Sequence, residues 1–333
     1  MLWVVVIPVI SAASLLMLVR RRKKKNFIAS FAGKHVLITG GSKGIGLSIS
    51  RKLLQEGAFV TLVSRSGSNL EEAKTSLVKE LHCGSDQILT KVADVGDYAT
   101  IARAIREAVA WRPIDVLICN AGRGQCGYFE DIPSQDVNTL VQTNLLGSLY
   151  AVHAALPFLK QQSSSNHPVS IVIMGSLASL VPLYANSVYT STKYALKGLA
   201  ESLKLELIPF GIRVTLLCPG FVDTPLADEI TPNSNPELLE GFKLAVQVQS
   251  QSVDEVAEIS IAGIKSGSFL ITTTPFVGPL LRIVSQGLTS DESFVKNVLE
   301  AIACFPLKLL FFWSGKSLQK QLVAIHQKYR TLQ

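Results

Sequence analysis

Charge is scarce in this chain, and cysteine scarcer. Only 17% of its 333 residues are Asp, Glu, Lys or Arg, against 48% hydrophobic, a balance that excludes a disordered polypeptide and leaves enough apolar surface for a core. The length allows one large domain or two small ones. Five cysteines, Cys83, Cys119, Cys126, Cys218 and Cys304, are scattered and odd in number. They lack C-x-x-C spacing, which argues against a disulfide framework or a zinc site, so no metal is expected. Cys119 and Cys218 fall in apolar runs and read as core residues in a reducing compartment. A broad basic face is missing too. Six of the formal net charge of +7 come from Arg20, Arg21, Arg22, Lys23, Lys24 and Lys25. The basicity is local, and nucleic acid is not an expected partner.

No basic residue precedes the apolar run Leu2 to Val19, as a secretory signal would require. The charge follows it instead. At ~1.5 Å per residue the run nearly crosses a ~30 Å hydrocarbon core, so residues 1–25 read as a membrane anchor with a basic stop. The positive-inside rule then places the remainder in the cytosol.

From His35 strands and helices alternate, which predicts an α/β fold: a doubly wound parallel sheet of about seven strands. Val36 to Thr39 is the first strand. The turn Thr39-Gly-Gly-Ser-Lys-Gly-Ile-Gly46 leads into a helix from Leu47 to Gln55. Gly40 and Gly44 let backbone approach a pyrophosphate, Gly46 lets helix pack on strand, and the helix N-terminus supplies amide donors. The second strand, Ala58 to Val63, is followed by Ser64-Arg65, with no acid before Glu71. An acid there would hold the ribose hydroxyl of NAD, whereas Arg65, with Lys43 in the turn, suits the extra phosphate of NADP. The third strand, Gln87 to Val92, leads to Asp94, which either accepts from adenine or is satisfied by nearby backbone amides. Asp97 caps a helix to about Trp111. The fourth strand, Ile114 to Cys119, delivers Asn120-Ala-Gly122. Asn144, on an apolar helix around Val137 to Leu159, is a functional link or a satisfied core residue.

The chemistry converges on Ser176 to Lys193. Val169 to Gly175 is a buried strand with Ser176 at its tip, and on the following helix Tyr189 and Lys193 stand at i and i+4 on one face. A cation beside a phenol lowers its pKa, so Tyr189 is expected to exchange a proton with a carbonyl or alcohol oxygen that Ser176 positions.

Taken together, the glycine turn, Asp94, Asn120-Ala-Gly122, Asn144, Ser176, Tyr189-x-x-x-Lys193 and Pro219-Gly220 follow the order and spacing of a known family. Over about Gly33 to Ser266 the chain resembles the short-chain dehydrogenases/reductases. The resemblance implies that Tyr189 is the general acid, that Lys193 lowers its pKa and binds the nicotinamide ribose, and that Ser176 positions the carbonyl. It implies that Asn144 holds a water linking Lys193 to solvent. Gly40, Ser42, Lys43, Gly44, Ile45, Arg65, Asp94 and Asn120 would line an NADPH site, with Val222 and Thr224 near the carboxamide. Within the family, Gly40-x-Ser42-x-Gly44, Arg65 and the apolar ends resemble a branch that reduces a long-chain lipid ketone, a keto sphingoid base, at the endoplasmic reticulum. Asn69 departs from it, standing where a second basic residue is expected. Two other readings stay open: a microsomal steroid or retinoid dehydrogenase, and a non-catalytic NADP-binding membrane scaffold.

After the sixth strand, Ile212 to Cys218, Phe221 to Gly241 is expected to be a mobile lid over the substrate crevice. Ser252-Val-Asp-Glu opens a helix to Lys265, and Phe269 to Thr273 is a seventh strand. The catalytic domain is thus expected over 33–274, with an apolar helical extension over 275–333. There, Phe276 to Val284 and Val298 to Trp313 are expected to dip into one leaflet, span as a hairpin, or pack between protomers of a homo-oligomer.

Overall fold

In a computed structural model of the chain, residues 26–163, 167–232, 235–246, 249–275, 277–285 and 294–330 are described; the expected anchor lies outside them. The elements run β1 (His35–Thr39), α1 (Gly44–Gln55), β2 (Phe59–Ser64), α2 (Gly67–Leu81), β3 (Ile88–Val92), α3 (Tyr98–Trp111), β4 (Val116–Cys119) and α4 (Ser134–Leu140). A π-turn (Val141–Leu146) joins α4 to α5 (Gly147–Gln162), and β5 (Ser170–Met174), α6 (Ser187–Glu206) and β6 (Arg213–Cys218) follow. Next come α7 (Pro225–Ile230), α8 (Pro236–Ala245), α9 (Val253–Ser266), β7 (Leu270–Thr272), α10 (Val277–Ser285) and α11 (Phe294–Arg330).

The strands form a parallel seven-stranded sheet in the order β3-β2-β1-β4-β5-β6-β7. Their runs are nearly all apolar because both faces are covered: β1, β4 and β5 are buried at every residue. On one face Leu37, Leu117, Ile171 and Leu216 meet Ile105, Ala155 and Leu203 of α3, α5 and α6. On the other, Ile38, Ile118 and Leu217 meet Ile49, Leu70 and Ile261 of α1, α2 and α9. The strand order reverses between β1 and β4, which opens a crevice beyond their carboxyl ends.

Local chemistry sets the helix starts. Asp97 accepts from the Ala99 and Thr100 amides at 2.8 and 3.4 Å, and Ser252 accepts from the Glu255 amide at 3.2 Å. The helix expected around Asn144 differs in one respect, since the π-turn interrupts it at that residue.

The tail is joined to the domain. Leu281 of α10 is buried within the main core, and Gly278 lies so close to β7 that a Cβ there would stand 2.6 Å from the Thr272 hydroxyl. The far end of α11 reaches α8, where His326 meets Glu237 and Lys328 meets Glu240, each at 2.8 Å. Among the described residues, no helix is long and apolar enough to cross a membrane.

Candidate active site

The glycine turn at the end of β1 is held from beneath by Asn120. Its amide donates to the Thr39 and Gly40 carbonyls at 3.0 Å each, while its backbone N–H donates to the Thr39 hydroxyl. Gly40 has a φ of +65° and touches the next strand's loop, so a Cβ there would lie 2.9 Å from the Ala121 Cα. At Gly46 a Cβ would meet both the Asn120 amide and the Gly40 carbonyl at 2.5 Å. The turn is therefore folded tightly back on itself, leaving the start of α1 open to the crevice. Lys43 and Arg65 are exposed and line it, as do Ser42, Gly44, Ile45 and Asn69. A bare backbone cradle, a helix N-terminus and two cations fit a pyrophosphate with an additional phosphate.

Further along the same crevice lie Ser176, Tyr189 and Lys193. Ser176 caps the short turn after β5, accepting from the Ala178 amide at 3.1 Å, and its side chain lowers the pKa of the Tyr189 phenol. The Lys193 ammonium lies 5.6 Å from the Tyr189 ring centre and donates to the Met174 carbonyl at 2.9 Å. Phenol, hydroxyl and ammonium thus share one mouth.

The ionisation differs from the sequence expectation. Burial pushes the Tyr189 phenol up to about 12, opposed by the Ser176 side chain, and pulls Lys193 down to about 8. The ammonium does not make the phenol acidic here, because removing both groups from water outweighs their attraction. The consequence favours proton donation: Tyr189 keeps its proton throughout the neutral range.

Asn144 is fully buried in the π-turn. Its Oδ1 accepts from the Arg123 amide at 2.8 Å, and its Nδ2 donates to the Arg123 carbonyl at 3.0 Å and the Thr192 hydroxyl at 3.2 Å. Thr192 in turn donates to the Tyr189 carbonyl. The side chain thereby clamps the loop after β4 to the helix carrying Tyr189 and Lys193.

Asp94 is exposed, outside the crevice lining, and its Oδ1 accepts from the Gly96 amide at 2.9 Å. One of its carboxylate oxygens is thus satisfied by backbone, as one of its two readings expects. Val222 and Thr224 do line the crevice. Behind them is a brace the sequence did not reveal: buried Gln251 donates to the Thr273 carbonyl at 2.9 Å, and the Thr273 hydroxyl accepts from the Gly220 amide. Such a brace joins separate segments, so no local spacing signals it. Thr192 and Met174 were missed as well; Thr192, one turn from Tyr189, was the more readable. Glu229 of α7 also lines the crevice, with Oε2 accepting from the Gly124 amide at 2.7 Å.

A glycine turn at the reversal of a parallel sheet, facing a Ser–Tyr–Lys group, defines a dinucleotide-dependent oxidoreductase. The short chain dehydrogenase family profile matches residues 34–235, and the chain belongs to that family. It is 37% identical over 281 residues to a 3-dehydrosphinganine reductase of Arabidopsis thaliana, covering 84% of this chain and 83% of the relative. To a 3-ketodihydrosphingosine reductase of Bos taurus it is 35% identical over 291 residues, 83% of each. The structure resembles a 3-ketoacyl-(acyl-carrier-protein) reductase from Brucella melitensis complexed with NADH. There the TM-score is 0.63 at 23% identity, covering 73% of this chain and 97% of the other.

Proposed function

We propose that the protein is an NADPH-dependent reductase of 3-ketodihydrosphingosine, forming dihydrosphingosine in sphingolipid biosynthesis. The observation that carries this reading is identity to reductases named for that reaction along most of the chain, joined to one crevice lined by Lys43, Arg65 and Tyr189. Bound NADPH supplies the hydride. The chain's residues do the rest. Gly40, Ser42, Lys43, Gly44, Ile45 and Arg65 cradle the phosphates, and Asn120 stiffens the turn beneath them. Asp94 has one carboxylate oxygen committed to Gly96, which leaves the other for the adenine. Val222 and Thr224 flank the nicotinamide end.

Ser176 donates a hydrogen bond to the substrate carbonyl oxygen. Tyr189 gives that oxygen its proton, becoming a phenolate that the Lys193 ammonium stabilises in a water-poor site. Lys193 is held at Met174 and Asn144 holds the helix, so the pair is positioned before substrate arrives. A steroid dehydrogenase is the second reading, favoured by 30% identity over 270 residues to the 17-beta-hydroxysteroid dehydrogenase type 1 of Homo sapiens. The intact Asn144, Ser176, Tyr189 and Lys193 set argues against a scaffold without catalysis.

The same proposal places the protein at the endoplasmic reticulum membrane, anchored through residues 1–25 with the catalytic domain, 33–274, in the cytosol. The extension 275–333 supports membrane contact through α11, where Ile302, Leu309, Leu310, Phe312 and Trp313 are exposed beside Lys308, Lys316 and Lys320. Aromatic and lysine side chains suit the headgroup boundary. A lipid ketone would then enter from the bilayer; packing of this face against a second copy is the alternative. Supplying purified protein with NADPH and 3-ketodihydrosphingosine, a ketosteroid and retinal tests the reading. Turnover of the ketosphingoid base alone supports it, and turnover confined to the ketosteroid or retinal refutes it.

A further inference from the structure

The crevice carries both signs of charge. Lys43, Arg65 and Lys193 line it, and its described lining includes one carboxylate, Glu229. Glu229 is the penultimate residue of α7. Its neighbour Ile230 packs in one apolar cluster with Tyr189, and the Ile230 carbonyl accepts from Asn186 at 3.2 Å, three residues before the phenol. The carboxylate is therefore tied to the proton donor's immediate surroundings.

Only part of it is used by the fold. Oε2 accepts from the Gly124 amide at 2.7 Å, and the Arg123 guanidinium stands 3.9 Å from the same oxygen, too far for a strong charge-assisted bond. The opposite oxygen, Oε1, has no hydrogen-bond partner among the described residues. Gly124 holds the carboxylate in place, because its Cα lies so close to α7 that a Cβ would stand 2.8 Å from the Glu229 Cβ. One oxygen is anchored and one is free, on a half-exposed side chain that lines the same crevice as Ser176, Tyr189 and Lys193.

We propose that Glu229 is a specificity-determining residue that binds the protonated amine of a 2-amino ketone, selecting amino ketones over neutral ketones of equal length. This rests on the reductase reading above. An α-amino group titrates near pH 8, so such a substrate carries a cation one carbon from the carbonyl that Tyr189 protonates. Anchoring the ammonium at Oε1 fixes the adjacent carbonyl at Ser176 and Tyr189.

The test compares kcat/KM for 3-ketodihydrosphingosine with that for the same ketone lacking the amine, in wild type and in Glu229→Gln. The amide can still accept from Gly124, so α7 stays docked; an unchanged melting temperature checks this. The expected result is a preference for the amino ketone that falls about fivefold in Glu229→Gln, as loss of a half-exposed ion pair implies, with partial recovery in Glu229→Asp. A preference unchanged in Glu229→Gln overturns the inference while leaving the reductase reading intact. Wild type that reduces neither ketone overturns both.

Discussion

Lys193 should make the cofactor-free protein less stable than a methionine in its place. The lysine is buried against the Met174 carbonyl, and its pKa falls from 10.5 to about 8. Between those values the unfolded chain binds a proton that the folded chain does not, so stability rises with pH across this window, and below pH 8 the whole cost is present. At about 1.4 kcal/mol per pH unit, that cost is about 3 kcal/mol. Lys193→Met removes it but leaves the Met174 carbonyl without its donor, which returns about 1 kcal/mol. The net gain is about 2 kcal/mol at pH 7, together with loss of activity, a trade-off expected where a site is kept charged for chemistry. Urea unfolding of both proteins at pH 7, 9 and 10.5 measures it. The advantage of Lys193→Met should be largest at pH 7 and gone by pH 10.5. A variant less stable than wild type at pH 7, or a difference independent of pH, would refute the reasoning.

Four further outcomes follow from the same geometry. Tyr189→Phe should lower kcat by about 10²–10⁴ and leave NADPH affinity, read by fluorescence titration, unchanged. Arg65→Glu should reverse the preference for NADPH over NADH in the same titration, because the acid would repel the added phosphate. Gly46→Ala should cost about 1–3 kcal/mol by crowding Asn120 and the Gly40 carbonyl; thermal melts and the KM for NADPH should both worsen. Cys119 and Cys218, each pushed up to about 12 by burial, should resist alkylation by iodoacetamide in the folded protein and react on unfolding.

The features most readable in the sequence were those built from local repetition. Each strand's apolar run appears within a residue or two of its expected place, because both sheet faces are covered and no alternation blurs the pattern. The glycine turn and the Tyr189–Lys193 pair were legible for a related reason: helical and turn geometry fix their relative positions over a few residues. What the spacing did not convey was desolvation. Tyr189 and Lys193 look like a phenol acidified by a cation when written side by side, and only tertiary burial reveals that both are pushed toward their neutral forms. Asn144 shows the same limit. Its position in the helix was apparent, whereas its bonds to Arg123 and Thr192 depend on a loop and a helix far apart in sequence. Glu229 lies in a segment expected only to be a lid, since nothing local marks which of its acids faces the crevice.

In the proposed reaction, a buried, protonated Tyr189 delivers a proton to a ketosphingoid base in a crevice that holds NADPH. The most direct measurement is the loss of nicotinamide absorbance when the purified protein, in detergent, is mixed with NADPH and 3-ketodihydrosphingosine, alongside Tyr189→Phe. Stoichiometric formation of dihydrosphingosine by wild type, with the variant nearly silent, is the predicted result. Undiminished turnover by Tyr189→Phe would contradict it.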